Sequence, residues 1–314
     1  MRITVMGAGG LGGFLGARLA SIGHQVTFIA RGENLKVLRA HGIRLEEPAS
    51  DVVLDSVLAT DDPLATGPAD VVIVGVKSWQ VAETAPLLKP LVSDRTVVLA
   101  IQNGVEAADQ LAGVLGEHHV LGGACAITSY LVGPGHVYHF GGRPWMTLGR
   151  IVSVPDSIDT VVEQLREALC SAAVQCTCSS DIRRSIWRKF LLITSYGGIG
   201  AVTRMPVGVT RSLAQTRQLI EEAMNEVVLV GRGHNVALDE GDVQAMMRQF
   251  DELPPDATTS MQRDIAAGRR SELPDLNGAV VRLAAQVDVV PRIHQFIYWS
   301  LLPSELRAVG ELGG

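Results

Sequence analysis

The sequence predicts an α/β protein in which an N-terminal doubly wound parallel sheet is followed by a second, all-helical domain. In the first half, short β-branched runs alternate with segments of helical periodicity, which is the βαβ rhythm of a parallel sheet. After about Asp156 the segments fit helical periods instead. The 314 residues suit one large or two medium domains, and we place the boundary between residues 178 and 179.

The individual elements follow this rhythm. Buried parallel strands are predicted over residues 3–6, 25–30, 71–76, 96–100 and 119–124. The helices between them are expected over residues 11–22, 33–40, 80–88 and 106–115. Two later strand-like runs, 135–140 and 145–148, flank Gly141-Gly142 and predict a hairpin. The second half predicts helices over residues 158–173, 181–196, 211–232, 240–250, 261–267, 276–285 and 292–302.

Composition argues against several classes of protein. A net charge of −6 with only 27 Lys and Arg disfavours nucleic-acid binding, which needs a basic face. We expect no membrane association, because no apolar run approaches the roughly 18 residues of a membrane span, and the N-terminus lacks a secretory layout. The histidines show no zinc-like spacing, so no metal site is expected. Reduced thiols in a cytoplasmic protein are the expectation for the four cysteines, Cys125, Cys170, Cys176 and Cys178.

A glycine-rich segment follows the first predicted strand and opens the first predicted helix. It matches G-x-G-x-x-G and comprises Gly7, Ala8, Gly9, Gly10, Leu11 and Gly12. Gly7 permits a tight turn, Gly9 lets the backbone approach a pyrophosphate, and Gly12 lets helix and strand pack closely. The helix N-terminus adds unpaired N–H groups and a positive dipole end. This context favours a dinucleotide-binding Rossmann domain over a plain strand–helix turn.

The end of the second predicted strand indicates which dinucleotide binds. Sites that prefer NAD usually carry Asp or Glu about 20 residues past the glycines, whereas this chain places Arg31 there. A guanidinium fits a 2′-phosphate, so NADP is predicted. Glu33 is the rival that would favour NAD, or it is a solvated first-turn residue. Lys77, just after the third predicted strand, is a second candidate for the phosphate, or a surface lysine.

These features and several short motifs together resemble the ketopantoate reductase family, the 2-dehydropantoate 2-reductases, over nearly the whole chain. The markers are the glycine loop, Val-Lys-Ser-Trp-Gln at 76–80, Gln-Asn-Gly at 102–104, Trp-Arg-Lys at 187–189, Ser-Met at 260–261 and Glu272. The resemblance implies an NADP-binding Rossmann domain over residues 1–178 and a helical substrate and dimerisation domain over 179–314. It also implies reduction of a small-molecule 2-oxo acid by NADPH, and a possible homodimer.

The resemblance assigns roles to four polar residues. Lys189 matches the catalytic lysine, which interacts with the reacting oxygen and supplies the proton. Glu272, Ser260 and Asn103 match residues that bind and orient substrate or cofactor, and we place Glu272 with Lys189 as catalytic. Read without the resemblance, Glu272 is a first-turn acid of a helix, Ser260 a helix cap and Asn103 a turn residue.

The residues around Lys189 give partial support of their own. Ile182, Ile186, Lys189 and Ile193 are spaced to lie on one face of the predicted helix. A lysine within an apolar stripe is costly unless it has a partner, which favours a functional ammonium. The alternative is a lysine whose stem packs while its amine reaches water.

The chain departs from the family pattern beyond Lys189. The family usually carries asparagines four and eight residues after its lysine, where this chain has Ile193 and Gly197. Both are therefore expected to line the substrate pocket as an apolar or open wall. Nearby hydroxyls belong to Thr194, Ser195 and Tyr196, of which we expect the last two to point off that face. Ketopantoate is thus in doubt as the substrate. The alternatives are a reductase of a more apolar ketone, oxo acid or imine, and a non-catalytic NADP(H)-binding sensor.

Overall fold

The computed structural model describes residues 1–152 and 158–312, so Asp156 lies outside the described residues. The chain divides into two compact units. Unit 1 contains Met1–Gln102 and Glu106–Ile182, and unit 2 contains Asn103–Val105 and the chain from Arg183 onward. Each unit has its own cluster of buried apolar side chains.

Twelve strands lie along the described residues, all in unit 1. They are β1 Arg2–Met6, β2 Gln25–Ile29, β3 Ile43–Glu46, β4 Val52–Leu54, β5 Leu58–Thr60, β6 Val71–Val74, β7 Val97–Ala100, β8 Val120–Ala126, β9 Ser129–Gly133, β10 His136–His139, β11 Trp145–Arg150 and β12 Gln175–Cys178. Eight of them form a sheet in the order β12-β11-β8-β7-β6-β1-β2-β5, parallel except where β11 meets β8. The α/β prediction is confirmed, and all five predicted strands belong to this sheet.

The predicted hairpin between residues 135–140 and 145–148 is wrong. β10 pairs with β9 and β3 in a second sheet of order β4-β3-β10-β9, whereas β11 pairs with β8 and β12 in the large sheet. The two glycines between them, Gly141 and Gly142, have φ of +113° and +77° and carry the chain from one sheet to the other. β12 also corrects the expectation that strands end near residue 156.

Twelve α-helices lie along the described residues. They are α1 Gly10–Ser21, α2 Gly32–His41, α3 Val81–Thr84, α4 Ala107–Leu115, α5 Asp159–Ser171, α6 Ile182–Thr203, α7 Val207–Ser212, α8 Ala214–Gly233, α9 Glu240–Glu252, α10 Ser260–Ala266, α11 Asn277–Ala285 and α12 Arg292–Ala308. None of the described helices is both long enough and apolar enough to cross a membrane.

Two helix predictions need correction. The helix expected over 80–88 is a single α-helical turn, α3, between the 3₁₀ helices Ser78–Gln80 and Ala85–Leu91. Pro86 and Pro90 explain this, because proline removes the N–H that an α-helix needs. The helix expected over 211–232 is divided between α7 and α8, because Leu213 has extended backbone angles.

Helix α1 packs between the two sheets of unit 1. Phe14 is fully buried in the cluster that includes Phe28 of the large sheet and Val137 of the second sheet. At Gly13, a Cβ atom would lie 2.7 Å from a methyl group of Val137. Apolar packing on both sides therefore fixes the helix whose first turn carries the glycine loop.

Candidate active site

Residues 7–12, the glycine loop, form a tight connection from β1 into α1. Gly7 has φ of +98°, and a Cβ atom there would lie 3.0 Å from the Val76 backbone nitrogen. A Cβ atom at position 12 would lie 2.1 Å from the Gly7 carbonyl oxygen. Only glycine fits these two positions without a shift of the backbone, which explains the first and third glycines of the motif.

Gly9 differs, because a Cβ atom there would meet nothing within 4 Å. Gly9 is the N-cap of α1, and the first helical turn carries no acidic residue. The open space beside it and the unpaired N–H groups of the helix start suit a phosphate group. Gly10 packs against β9, since its Cβ atom would lie 2.7 Å from the Ser129 carbonyl oxygen. Leu11 is partly buried against the core of unit 1.

Asn34 holds the loop in place, although no sequence signal singles it out. Its Nδ2 donates to the carbonyl oxygen of Ala8 at 2.9 Å, and its Oδ1 accepts from the Gly135 N–H at 2.7 Å. One side chain of α2 therefore ties the glycine loop to the turn between β9 and β10.

The residues that could determine whether a 2′-phosphate binds differ in the contacts that their side chains already make. Arg31 is exposed and follows β2, and its side chain makes no hydrogen bond or ion pair with the residues that the structure describes. Glu33 forms an exposed ion pair with Lys36, which lies three residues later in α2, and 2.5 Å separate Glu33 Oε1 from Lys36 Nζ. Lys77 lies three residues beyond the end of β6, with its ammonium 5.7 Å from the centre of the Trp79 ring. Arg31 is the cation that is available to an incoming anion.

In unit 2, three side chains from distant parts of the sequence form a hydrogen-bonded chain, which we call the polar cluster. The Lys189 ammonium in α6 donates to Asn103 Oδ1 at 2.9 Å, and Asn103 Nδ2 donates to Glu272 Oε2 at 3.0 Å. Glu272 is only 4% exposed, whereas Lys189 and Asn103 are half-buried. The structure therefore joins three of the four polar residues named from the sequence.

The chemistry of this cluster fixes the orientation of the Asn103 amide. An ammonium only donates and a carboxylate only accepts, so the amide oxygen must face Lys189 and the amide nitrogen must face Glu272. The amide thereby positions the ammonium. Two of the three ammonium protons have no partner among the described residues.

The position of Glu272 in the fold differs from the prediction that it lies in the first turn of a helix. Glu272 lies in a turn that precedes α11, not in the first turn of a helix, since α11 begins at Asn277. Its carbonyl oxygen accepts from the N–H groups of Asp275 and Leu276 at 3.1 and 2.9 Å. Gly104 packs on this turn, because a Cβ atom there would lie 3.0 Å from the Asp275 carbonyl oxygen.

Ser260 is the first residue of α10 but not its cap. The cap is Thr259, whose Oγ1 accepts from the Gln262 N–H at 3.1 Å. Ser260 is half-buried, and among residues 1–152 and 158–312 no hydrogen bond joins it to the polar cluster.

The open wall expected at Gly197 is not present. Gly197 is buried, and a Cβ atom there would lie 2.7 and 2.9 Å from side-chain atoms of Thr259. Helix α6 packs on the start of α10 at this point, so position 197 has no room for a side chain. Ile193, one turn beyond Lys189, is partly buried against the apolar cluster of unit 2.

Two of the three neighbouring hydroxyls, those of Thr194 and Tyr196, differ from expectation. Thr194 and Ser195 are fully buried, and each hydroxyl donates to the carbonyl oxygen four residues earlier at 2.8 Å. Neither is available to a ligand. Tyr196 is seven residues past Lys189, so it lies on the Lys189 face of α6 and not off it. Its ring packs beside Phe250, and burial raises the pKa of its hydroxyl to about 12.

Gln102, directly before Asn103, has a structural role in unit 1 that the sequence analysis did not assign. Its Nε2 donates to the carbonyl oxygens of Val74 and Val76 at 2.6 and 3.0 Å. These bonds hold the chain where it leaves β6. The Gln-Asn-Gly stretch at 102–104 thus combines a residue that stabilises unit 1 with a member of the polar cluster in unit 2.

Several histidines and cysteines have contacts within the part of the chain that the structure describes. Among residues 1–152 and 158–312, no group of three or more His, Cys, Asp or Glu is arranged to hold a metal ion. His139 contacts Glu47 at 3.0 Å, and Glu47 also binds Arg18 at 2.5 Å. None of the four cysteines, all of which lie within the described residues, forms a disulfide, and burial raises the pKa of Cys176 to about 12.

Comparison with known proteins identifies the family. The family described as Ketopantoate reductase PanE/ApbA matches residues 3–153, and its C-terminal family, Ketopantoate reductase PanE/ApbA C terminal, matches residues 181–302. The chain therefore belongs to the ketopantoate reductase family, as the resemblance predicts. It is an oxidoreductase that acts on a C=O or CH–OH group, in a family that uses nicotinamide cofactors.

Individual relatives cover nearly the whole chain. A 2-dehydropantoate 2-reductase of Halobacterium salinarum is 29% identical over 290 residues, 92% of this chain and 94% of that protein. The crystal structure of a PanE/ApbA family ketopantoate reductase from Ralstonia eutropha is 30% identical, with a TM-score of 0.87 over 98% of this chain and 100% of the other. D-mandelate dehydrogenase, solved with NADH and anilino(oxo)acetate, has a TM-score of 0.88 over 98% of this chain and 100% of the other. At 21% identity, this last likeness shows the fold alone.

Proposed function

We propose that the protein reduces a 2-oxo acid to a 2-hydroxy acid with NADPH. The observation that carries this proposal is the polar cluster, in which Asn103 positions the Lys189 ammonium and leaves two of its protons without a partner among the described residues. A non-catalytic nucleotide sensor would need neither a positioned ammonium nor a buried carboxylate behind it.

The chemistry assigned to these residues is a proton transfer coupled to reduction of a carbonyl group. When bound, the reduced nicotinamide supplies a hydride to the carbonyl carbon. Negative charge then develops on the carbonyl oxygen, where the Lys189 ammonium stabilises it and donates a proton. Asn103 holds the ammonium through Oδ1, and Glu272 holds Asn103 in the one orientation that allows this contact.

The residues of the glycine loop fit the cofactor. The space beside Gly9, the absence of acids in the first turn of α1 and the exposed Arg31 suit a nucleotide with a 2′-phosphate. Glu33, the residue that would favour NAD, is already bound to Lys36. These features support NADPH over NADH, with Lys77 as a second cation for the same phosphate.

The substrate that suits this site has an apolar side chain. Ile193 and the Tyr196 ring replace the polar wall beyond Lys189, and Gly197 is closed off by Thr259. Apolar burial favours hydrocarbon by roughly 0.8 kcal/mol per methylene group. The ketopantoate hydroxyl finds no replacement at Thr194 or Ser195, because both hydroxyls are bonded to the backbone of α6.

A substrate panel tests this proposal. NADPH oxidation is measured with ketopantoate, 2-oxoisovalerate and phenylglyoxylate. We expect kcat/KM to be higher for the two acids that lack the hydroxyl. If ketopantoate is the best substrate, with kcat/KM of about 10⁴ M⁻¹s⁻¹ or more, the proposed preference for an apolar side chain is wrong and ketopantoate reduction is the activity. The variant Ile193→Asn then shows whether this wall sets the preference, since it should shift kcat/KM toward ketopantoate.

A homodimer and a cytoplasmic location are further parts of the proposal. Size-exclusion chromatography with light scattering tests the first, and cell fractionation tests the second.

A further inference from the structure

A second buried carboxylate lies behind the segment that carries Glu272. Glu305 of α12 is 4% exposed. It accepts from the Ser271 N–H through Oε1 and Oε2, at 3.0 and 3.1 Å, and from the Ser271 hydroxyl through Oε2 at 2.6 Å. Glu305 forms no ion pair with any residue that the structure describes, so these hydrogen bonds compensate its burial.

The Ser271 hydroxyl has a second contact. It accepts from the Leu273 N–H at 3.2 Å, so it links Glu305 to the peptide group that follows Glu272. The Glu272 carbonyl oxygen is held in turn by the N–H groups of Asp275 and Leu276. The backbone of Glu272 is thus fixed before and after the residue, which leaves its side chain aimed at Asn103.

We infer that Glu305 is a positioning residue for the reaction. Through Ser271 it holds Glu272 where Glu272 accepts from Asn103, and Asn103 in turn holds the Lys189 ammonium. Charge makes this contact strong, because a carboxylate accepts from N–H and O–H donors with about twice the strength of a neutral acceptor. The inference rests on the proposed function and adds Glu305 and Ser271 to it.

A carboxylate that contacts the other end of α12, its N-terminal end, provides a matched control. The half-buried Glu226 of α8 accepts from the N–H groups of Ile293 and His294, at the start of α12, at 2.8 and 3.1 Å. It is also a carboxylate that binds backbone N–H groups in unit 2, but the segment it holds carries no member of the polar cluster.

The kinetic test compares Glu305→Gln, Ser271→Ala and Glu226→Gln with the wild type. In Glu305→Gln the amide nitrogen faces N–H and O–H donors, so Glu272 shifts and kcat/KM for the 2-oxo acid should fall roughly 10- to 100-fold. The KM for NADPH should stay within about two-fold. Ser271→Ala keeps the hydrogen bonds from the Ser271 N–H to Glu305, so its kcat/KM should fall less. Glu226→Gln should lower the melting temperature but leave kcat/KM within about two-fold.

Hydrogen exchange on the same variants gives a readout that needs no substrate. The amides of residues 271–276 other than Pro274 should exchange faster in Glu305→Gln and Ser271→Ala, whereas in Glu226→Gln the change should be confined to the start of α12. The inference is overturned if residues 271–276 stay protected in both variants, or if both keep wild-type kcat/KM despite a lowered melting temperature. If the wild type reduces no 2-oxo acid, the proposed function fails, and the exchange data still decide whether Glu305 orders the Glu272 turn.

Discussion

In the glycine loop the candidate binding groups are backbone N–H donors, whereas in the polar cluster they are side chains. The loop depends on the lack of side chains, since a Cβ atom at position 12 would overlap the Gly7 carbonyl oxygen. The cluster depends on three side chains whose donors and acceptors match in only one orientation. We therefore expect loop substitutions to alter nucleotide binding or stability, and cluster substitutions to alter turnover.

The largest expected effect is on turnover. Lys189→Met keeps the length and apolar stem of the side chain but removes the proton donor, so kcat should fall by roughly 10²- to 10⁴-fold. NADPH affinity, measured by fluorescence titration, should stay within about three-fold. Lys89→Met, at an exposed lysine of unit 1, is the control and should change neither quantity. A fall in kcat of less than ten-fold would remove Lys189 as the acid.

The next largest effect concerns the packing of the loop. Gly12→Ala places a methyl group 2.1 Å from the Gly7 carbonyl oxygen, so the loop must shift. This should lower the free energy of unfolding by about 1–3 kcal/mol and weaken NADPH binding as well. Urea denaturation and nucleotide titration measure the two losses. Wild-type stability in this variant would show that the turn can relax.

A smaller effect is expected for cofactor choice. Arg31→Ala should weaken NADPH binding about ten-fold and leave NADH binding unchanged, because an exposed guanidinium contributes the low end of the range for a charge-assisted hydrogen bond. Titration of both nucleotides checks this. Equal affinity of the wild type for NADPH and NADH would contradict it, and a larger loss from Glu33→Ala would indicate NAD.

The smallest effect concerns acid stability of the helical unit. His294 is fully buried, its Nδ1 accepts from Asn277 Nδ2 at 3.0 Å, and its Nε2 donates to the Ala223 carbonyl oxygen at 3.1 Å. Burial lowers the pKa of this imidazole to about 4. Below the unfolded pKa of about 6.5, the unfolded chain therefore binds more protons than the folded one. The free energy of unfolding should fall as the pH is lowered.

Between pH 7 and pH 5.5, His294 should account for the loss of about 1 kcal/mol of unfolding free energy. NMR titration of the His294 ring checks the cause, with protonation of the folded protein expected near pH 4. A midpoint near 6.5 would show that the ring is accessible to water in the folded protein.

The contrast between the contiguous glycine loop and the polar cluster, whose members are far apart in the sequence, also explains which features could be predicted from the sequence. The glycine loop is contiguous and its geometry follows from missing Cβ atoms, so its position after β1 could be predicted from local pattern. The strands of the large sheet were found because they are buried on both faces and therefore uniformly apolar. The hairpin was predicted wrongly, because a glycine pair between two strands does not show that the strands belong to different sheets.

The polar cluster was only partly predictable. Its members were named from the family resemblance, but Asn103 and Lys189 are 86 residues apart, and Asn103 and Glu272 are 169 apart, so their hydrogen bonds have no local signal. The closed space at Gly197 depends on Thr259, and the support of Glu272 depends on Glu305, both of which are set by tertiary packing. Asn34 was missed for the same reason.

The most direct test of whether the glycine loop binds the nucleotide and the polar cluster donates the proton measures NADPH affinity and kcat on two variants. Gly9→Ala adds a methyl group to open space, so it should fold like the wild type and lose NADPH affinity by roughly ten-fold or more, while kcat at saturating NADPH stays within about three-fold. Lys189→Met should do the reverse, with normal NADPH affinity and a kcat lowered by at least about 100-fold. If both variants lose affinity and turnover to the same extent, nucleotide binding and proton donation are not divided between the glycine loop and the polar cluster, and this account is wrong.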